Sequence, residues 1–514
     1  MSDRVVQFDG SALTPQSVLA LARDRVQAVF HPDARDRVAA SREQLEAIAA
    51  DGLPHYGVNT GFGSLARKRV GDAELDELQV NLVRSHAAGI GPPLPQETVR
   101  ATMSILAASL ARAHSGVRPE VIEHLVAMLN ADVTPVVPSI GSVGASGDLA
   151  PLAHIACGMT GTGDCSIGAD RLPAEHALAR ASLQPITLRA KEGLALINGT
   201  HLMAAQACIV LADSMRLLKS SLIAGAMSVD ACRASAGPFD ARIAALRNHP
   251  GPAIAARELR SLLEGSTIGP AHRDNDPRVQ DPYSLRCQPQ VLGAVLDGIA
   301  SLELATQREL GAVTDNPLLV DADELVSGGN FHGMPIALPL DHASTLLAPI
   351  AGMAERRVFW MLAAIDPESG LSPHLASRPG VTSGLMIAQY TAAAACNEII
   401  GLCQSATAAN ISTCAGVEDY NSFGPRAAAK AVRTIELAES VVAIELLCAA
   451  EALEFHRPER TGDKLELVHS LIRREVERFT TDRSPSADIQ RVVEMIRRGE
   501  FDRFVSLESN GADG

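Results

Sequence analysis

Apolar residues recur along the second half of the chain at the spacing of a helix face. Over residues 291–313, Leu292, Val295, Ile299 and Leu302 follow one another at intervals of three and four, and Asp315-Asn316-Pro317 closes the run. That pattern predicts a long amphipathic helix with a defined stop. Related runs predict helices over about 341–365, ahead of Asp366-Pro367, and over about 383–409. A fourth, over about 427–456, sets Ile435, Val442, Leu446, Ala449 and Leu453 at bundle-like intervals, with Glu436, Glu439, Glu445 and Glu451 distributed around them. Four long helices in succession predict a bundle. The small residues of 391–395 and 427–429 allow close helix approach and make sheet a minor component.

The first half is choppier. Helical patterns alternate there with Gly- and Pro-rich stretches at 52–63, 89–95, 138–151 and 158–174, which read as loops, and loops of that kind carry chemistry more often than bundle surfaces do. After Arg457-Pro458 come two shorter amphipathic pieces, about 464–480 and 485–500, and a polar end over 509–514 that is expected to fray.

Composition narrows the partners. At 514 residues the chain buries a core without difficulty, and 46% apolar with 20% charged residues is ordinary globular usage. A formal charge of -15 repels a phosphate backbone, so nucleic acid is not an expected partner. Met1-Ser2-Asp3-Arg4 does not open a secretory signal, and no apolar stretch reaches spanning length, so a cytoplasmic location with no membrane partner is expected. Nine cysteines without a Cys-x-x-Cys pair predict reduced, buried thiols rather than a disulfide framework or a zinc site.

The Gly-rich loop over 141–152 contains Gly144-Ala145-Ser146-Gly147-Asp148. Side chains supply nucleophiles, acids and bases but no good electrophile, which is why amine eliminations borrow one. A tightly bent Ala-Ser-Gly segment supplies it. Attack of the Gly147 nitrogen on the Ala145 carbonyl, with loss of water from the ring and from the Ser146 side chain, leaves a methylidene-imidazolone, MIO. A side chain at Gly147 would obstruct that approach, and Gly144 permits the bend.

This stretch resembles the MIO signature of the aromatic amino acid ammonia-lyases and aminomutases, and separate motifs carry the resemblance over about residues 5–500. It implies an all-α, fumarase/aspartase-like architecture, with an MIO-bearing catalytic domain over 1–230 and a long-helix bundle with C-terminal helices over 231–514. It also implies MIO formed autocatalytically from Ala145, Ser146 and Gly147, no metal, and a homotetramer whose neighbouring subunits complete each active site.

Residue roles follow from the same resemblance. Tyr56, in His55-Tyr56-Gly57-Val58-Asn59-Thr60-Gly61, matches the base that removes the substrate β-proton. Ser85-His86 resembles the histidine-specific members, where tyrosine and phenylalanine enzymes tend to carry His-Leu or Phe-Leu. A polar pocket hydrogen-bonds an imidazole and penalises an apolar ring, whose arrival would leave buried polar groups unpaired. Asn198 in Ile197-Asn198-Gly199-Thr200 matches an amide beside MIO. In the stretch 280–290, Arg286 matches the carboxylate clamp, for which a planar guanidinium is apt, and Gln280 and Tyr283 match residues around MIO. Phe331 matches a pocket wall, and Glu418 the acid that histidine-specific members direct at the imidazole.

The implied reaction is addition of the substrate amine to the MIO methylene, removal of the β-proton by Tyr56 with Arg286 holding the carboxylate, and loss of ammonia from L-histidine to give urocanate. A tyrosine or phenylalanine lyase, an aminomutase and a lyase for a histidine analogue stay open as alternatives. Val417 and Tyr420 stand where relatives place Gln and His, Met334 replaces a usual Glu or Gln, and His201 follows Gly199-Thr200 where another polar residue is commoner. Met386 stands where a lyase for a thiolated histidine betaine carries Lys. No Gly-Ser-Ser-x-Met-Pro signature of a fumarase-type lyase is present.

Overall fold

The computed structural model describes residues 5–63, 69–71, 74–272, 276–321 and 324–508; the polar end 509–514 lies outside them. The fold is all-α. The expected long helices are Gln288–Leu310, Met334–Ala363, Met386–Leu402 and Gly424–Leu453, and the two terminal pieces are Asp463–Glu475 and Ser486–Arg497. Two limits differ from the pattern. Met334–Ala363 starts seven residues before Asp341, because Pro335 sits in the first turn, where a missing N–H costs nothing. Met386–Leu402 stops short of Ala409, because the Ala406 and Thr407 N–H groups leave the helical ladder and donate to the Asp341 carboxylate at 2.9 and 3.0 Å.

The longest helix among the described residues, His201–Ala231, is buried along nearly its whole circumference. Such a helix has no polar face and so gives no amphipathic period to read. Three stretches expected as loops contain short strands. Ile90–Pro93 pairs antiparallel with Pro138–Ile140, and Val133–Pro135, Asp164–Ile167 and Asp170–Pro173 form a small antiparallel sheet. Runs of three or four residues are too short to show a period of two.

The chain forms two compact units. One comprises Met1–Ile209, Leu302–Asp341 and Ser405–Ala429, the other Val210–Ser301, His342–Gln404 and Lys430–Gly514. The first is built on a core that includes Met103, Leu106, Leu110, Ile122, Leu152 and Leu196. In the second, the Arg357 guanidinium donates twice to the Glu445 carboxylate, at 2.5 and 2.8 Å, and the Ser228 hydroxyl adds a bond of 2.7 Å. Glu445 therefore lies inside its unit, neutralised by a bidentate partner. The nine cysteines are free thiols, five of them buried.

Candidate active site

The Ala-Ser-Gly loop joins the strand Pro138–Ile140 to the helix Leu149–Met159. Gly144 and Gly147 have φ of +68° and +72°, in the left-handed region that glycine enters freely. A Cβ on Gly147 would lie 2.0 Å from the Gly199 carbonyl oxygen, so only glycine fits there. That closeness comes from pairing of the two glycine-bearing segments: the Asp148 N–H donates to the Gly199 carbonyl (2.8 Å), and the Gly199 N–H donates to the Ser146 carbonyl (3.3 Å). Ala145 and Gly147 are buried, while Ser146 between them is partly exposed. The loop thus hides its backbone and presents one side chain.

Asp148 fastens the loop to the start of His201–Ala231. Its Oδ2 accepts the Leu202 and Met203 N–H groups at 2.9 and 3.0 Å, and its Oδ1 accepts from the Ser142 hydroxyl at 3.1 Å. Burial pushes the carboxyl up to about 7, against the opposing pull of those donors.

Ser146 faces a pocket of about 470 Å³ in the first unit, lined also by Tyr56, His86, Asn198, Phe331 and Glu418. The Ser146 hydroxyl donates to Glu418 Oε1 at 2.8 Å, and the Thr413 hydroxyl donates to Glu418 Oε2 at 3.1 Å. His86 ends the helix Leu75–His86, and its Nδ1 lies 2.8 Å from the Leu82 carbonyl. A carbonyl only accepts, so Nδ1 carries a proton, and in the neutral ring Nε2 is the acceptor. With its amide turned so that the nitrogen faces the loop, Asn198 donates to the Ser146 carbonyl (2.8 Å) and accepts from the Asn316 N–H (2.9 Å). The Tyr56 hydroxyl accepts from the Gly63 N–H at 3.3 Å. Burial raises the Tyr56 pKa, the Gly63 bond opposes this, and the Glu418 charge adds to the rise.

Gln280, Tyr283 and Arg286 belong to the second unit and do not line this pocket. They form a cluster of their own: Arg286 Nη2 donates to Gln280 Oε1 at 2.8 Å, and the guanidinium lies 4.7 Å from the centre of the Tyr283 ring. Tyr283 is 70% exposed, unusual for a large aromatic. Val417, Tyr420, Met334 and His201, the positions that depart from the usual pattern, do not line the pocket either.

Two further features were not legible as site residues. Cys414 lines the pocket, and both it and Ala415 hold left-handed φ values of +50° and +53° in the turn that brings Glu418 round. Lys191 and Asp315 form a buried ion pair of 2.5 Å behind Asn198. Among the described residues, no group of three His, Cys, Asp or Glu side chains is placed to hold a metal ion.

Residues 13–474, which contain every candidate site residue, match the family model described as aromatic amino acid lyase. The chain belongs to the aromatic amino acid lyase family. Among similar members of this lyase family, histidine ammonia-lyase of Symbiobacterium thermophilum is 45% identical over 96% of each chain, and that of Rhodospirillum rubrum is 45% identical over 95% of each. The crystal structure of histidine ammonia-lyase from Trypanosoma cruzi superposes with a TM-score of 0.90 at 35% identity, covering 98% of this chain and 96% of that one. Tyrosine aminomutase from Streptomyces globisporus superposes with a TM-score of 0.92 at 33% identity over 99% of each. The helical architecture expected from the sequence is therefore that of the aromatic amino acid lyases.

Proposed function

We propose that the protein is a histidine ammonia-lyase, a carbon–nitrogen lyase that releases ammonia from L-histidine to give urocanate. One observation carries this reading. The pocket that exposes Ser146 alone of the tripeptide also holds a tyrosine hydroxyl and two acceptors suited to an imidazole N–H, the Glu418 carboxylate and the Nε2 lone pair of His86. An apolar ring would offer neither acceptor a donor, whereas an imidazole N–H supplies one. The identity of about 45% to histidine ammonia-lyases supports the same substrate.

The tripeptide fits conversion to MIO. Its backbone is buried and bent, Gly147 has no room for a Cβ, and Asn198 donates to the Ser146 carbonyl. Once formed, MIO supplies the electron-poor double bond that turns the substrate amine into a competent leaving group. The protein's own groups do the rest. Phe331 walls the pocket, and His86 and Glu418 orient the ring; Asn198 fixes the carbonyl, and Tyr56 takes the β-proton.

Tyr56 serves as a base only when something offsets the forces that keep it protonated. The cluster of Arg286, Gln280 and Tyr283 is the natural source, contributed by a neighbouring subunit of a homotetramer, with the guanidinium holding the substrate carboxylate. No helix among the described residues is long and apolar enough to cross a membrane; a cytoplasmic location is part of the proposal and is checked by cell fractionation.

Two measurements test the reading together. Intact mass should show two water molecules lost per chain, and a panel of histidine, phenylalanine, tyrosine and an N-methylated histidine should release ammonia fastest from histidine. A mass equal to the unmodified chain removes MIO. Cinnamate-type products in preference to urocanate, or β-amino acids, would reassign the substrate or the outcome.

A further inference from the structure

Lys191 and Asp315 are the least expected pair in the first unit. Both side chains are withdrawn from water, at 0% and 2% exposure, and Lys191 Nζ lies 2.5 Å from Asp315 Oδ2. Neither lines the pocket. Lys191 also has φ +73°, a left-handed conformation that disfavours any residue with a Cβ. A strained lysine carrying a dehydrated charge is poorly explained by stability, because desolvation consumes much of what an internal ion pair gains.

Geometry accounts for it better. Lys191 caps the start of the six-residue helix Glu192–Ile197, and Asn198 caps its end. Both ends are tied to the same dipeptide. Lys191 binds the Asp315 carboxylate at one end, and the Asn198 side-chain oxygen accepts the Asn316 N–H at the other. Asp315 Oδ1 accepts that same N–H at 2.6 Å, so its carboxylate grips both the lysine and the backbone that faces Asn198. The remaining atoms of the Asn198 amide donate to the Ser146 carbonyl at 2.8 Å. The short helix is further locked along its length, since Gln79 Oε1 accepts the Gly193 N–H at 2.9 Å and Arg118 binds the Glu192 carboxylate at 2.8 Å.

We infer that the buried Lys191–Asp315 pair is a positioning device that aims the Asn198 amide at the Ser146 carbonyl. The inference rests on the reading of Ala145, Ser146 and Gly147 as the source of MIO. That carbonyl is conjugated with the new double bond, so negative charge gathers on its oxygen when the bond is attacked, and a donor held there stabilises the charged state more than the neutral one. Misplacing the amide should slow turnover while leaving substrate binding nearly intact, because His86 and Glu418 do not depend on this link.

The test removes both charges together, in Lys191→Met/Asp315→Leu, so that neither is left buried alone. Intact mass is measured first. In the wild type, loss of two waters upholds the underlying function; an unmodified mass overturns that function and this inference with it. In the paired variant, kcat should fall at least about tenfold with KM within about twofold. The ultraviolet band of the dehydrated tripeptide should shift as it does in Asn198→Ala. Added to Asn198→Ala, the same paired change should cost less than about twofold, because the amide it aims is gone. Losses that multiply in the triple variant, or wild-type kcat and an unshifted band in the paired one, overturn the inference while the enzyme's function stands. If the paired variant does not fold, Lys191→Gln/Asp315→Asn, which also removes both charges and stays closer to the side-chain shapes, is read by the same three criteria.

Discussion

The Ser146 hydroxyl donates to the Glu418 carboxylate across 2.8 Å, joining residues 272 positions apart. The contact places the residue matched to MIO formation against the residue matched to imidazole recognition. On the proposed function, electrophile and specificity group share one pocket, and a defect in either should be readable at the other.

Ser146→Ala removes the hydroxyl whose loss the proposed electrophile requires. The variant should fold, keep the full unmodified mass and show no detectable ammonia release from histidine. Intact mass spectrometry beside a urocanate assay checks this, and substantial retained turnover would rule the mechanism out.

Glu418→Gln should act on Tyr56 as well as on the substrate. The Glu418 charge contributes to raising the Tyr56 pKa, so neutralising it lowers that pKa. The rise of kcat with pH should then move to lower pH, and histidine should lose about ten- to a hundredfold in kcat/KM relative to phenylalanine. A pH–rate profile for each substrate decides; an unmoved profile separates Glu418 from the base.

Asp148→Asn should change how stability depends on pH. The ordinary aspartate value is 3.8, and the folded carboxyl is pushed up to about 7. Between those values the folded chain keeps a proton that the unfolded chain releases. The carboxyl's contribution is therefore full below about pH 4 and lost as pH rises towards 7. Asparagine has no proton to lose, so the variant should gain on the wild type between about pH 5 and pH 8 in urea titrations. A constant difference across that range would contradict the assignment.

The proposed sharing of sites between subunits predicts complementation. Ser146→Ala and Arg286→Ala chains should each be inactive alone, yet co-expressed they should recover measurable turnover, because a mixed assembly contains sites with both residues intact. Recovery absent from a confirmed mixed tetramer would mean that Arg286 does not complete the site of a neighbouring subunit.

Much of this was legible in the sequence, for a physical reason. Apolar spacing is local, so Leu292, Val295, Ile299 and Leu302 announced Gln288–Leu310 without knowledge of what they pack against. Motif residues such as Tyr56 and His86 could be matched because each sits in a short contiguous motif, His55 to Gly61 and Ser85-His86. What depends on distant pairing was hidden. Asp315 read as part of a helix stop, although a lysine 124 residues away neutralises it. Asp341 read as the start of a helix, although its carboxylate receives the N–H groups of Ala406 and Thr407 from within Met334–Ala363. Cys414 carried no signal, since its place in the pocket comes from a left-handed turn that its residue type does not favour.

Asp148 clasps the tripeptide loop to the start of His201–Ala231. A clasp of that kind couples two kinds of failure. Fraying of the helix's first turn would release the carboxylate, and the bend around Gly147 would lose its anchor in the same event. Heat should therefore silence the site as soon as that single turn opens, ahead of the general loss of helical signal.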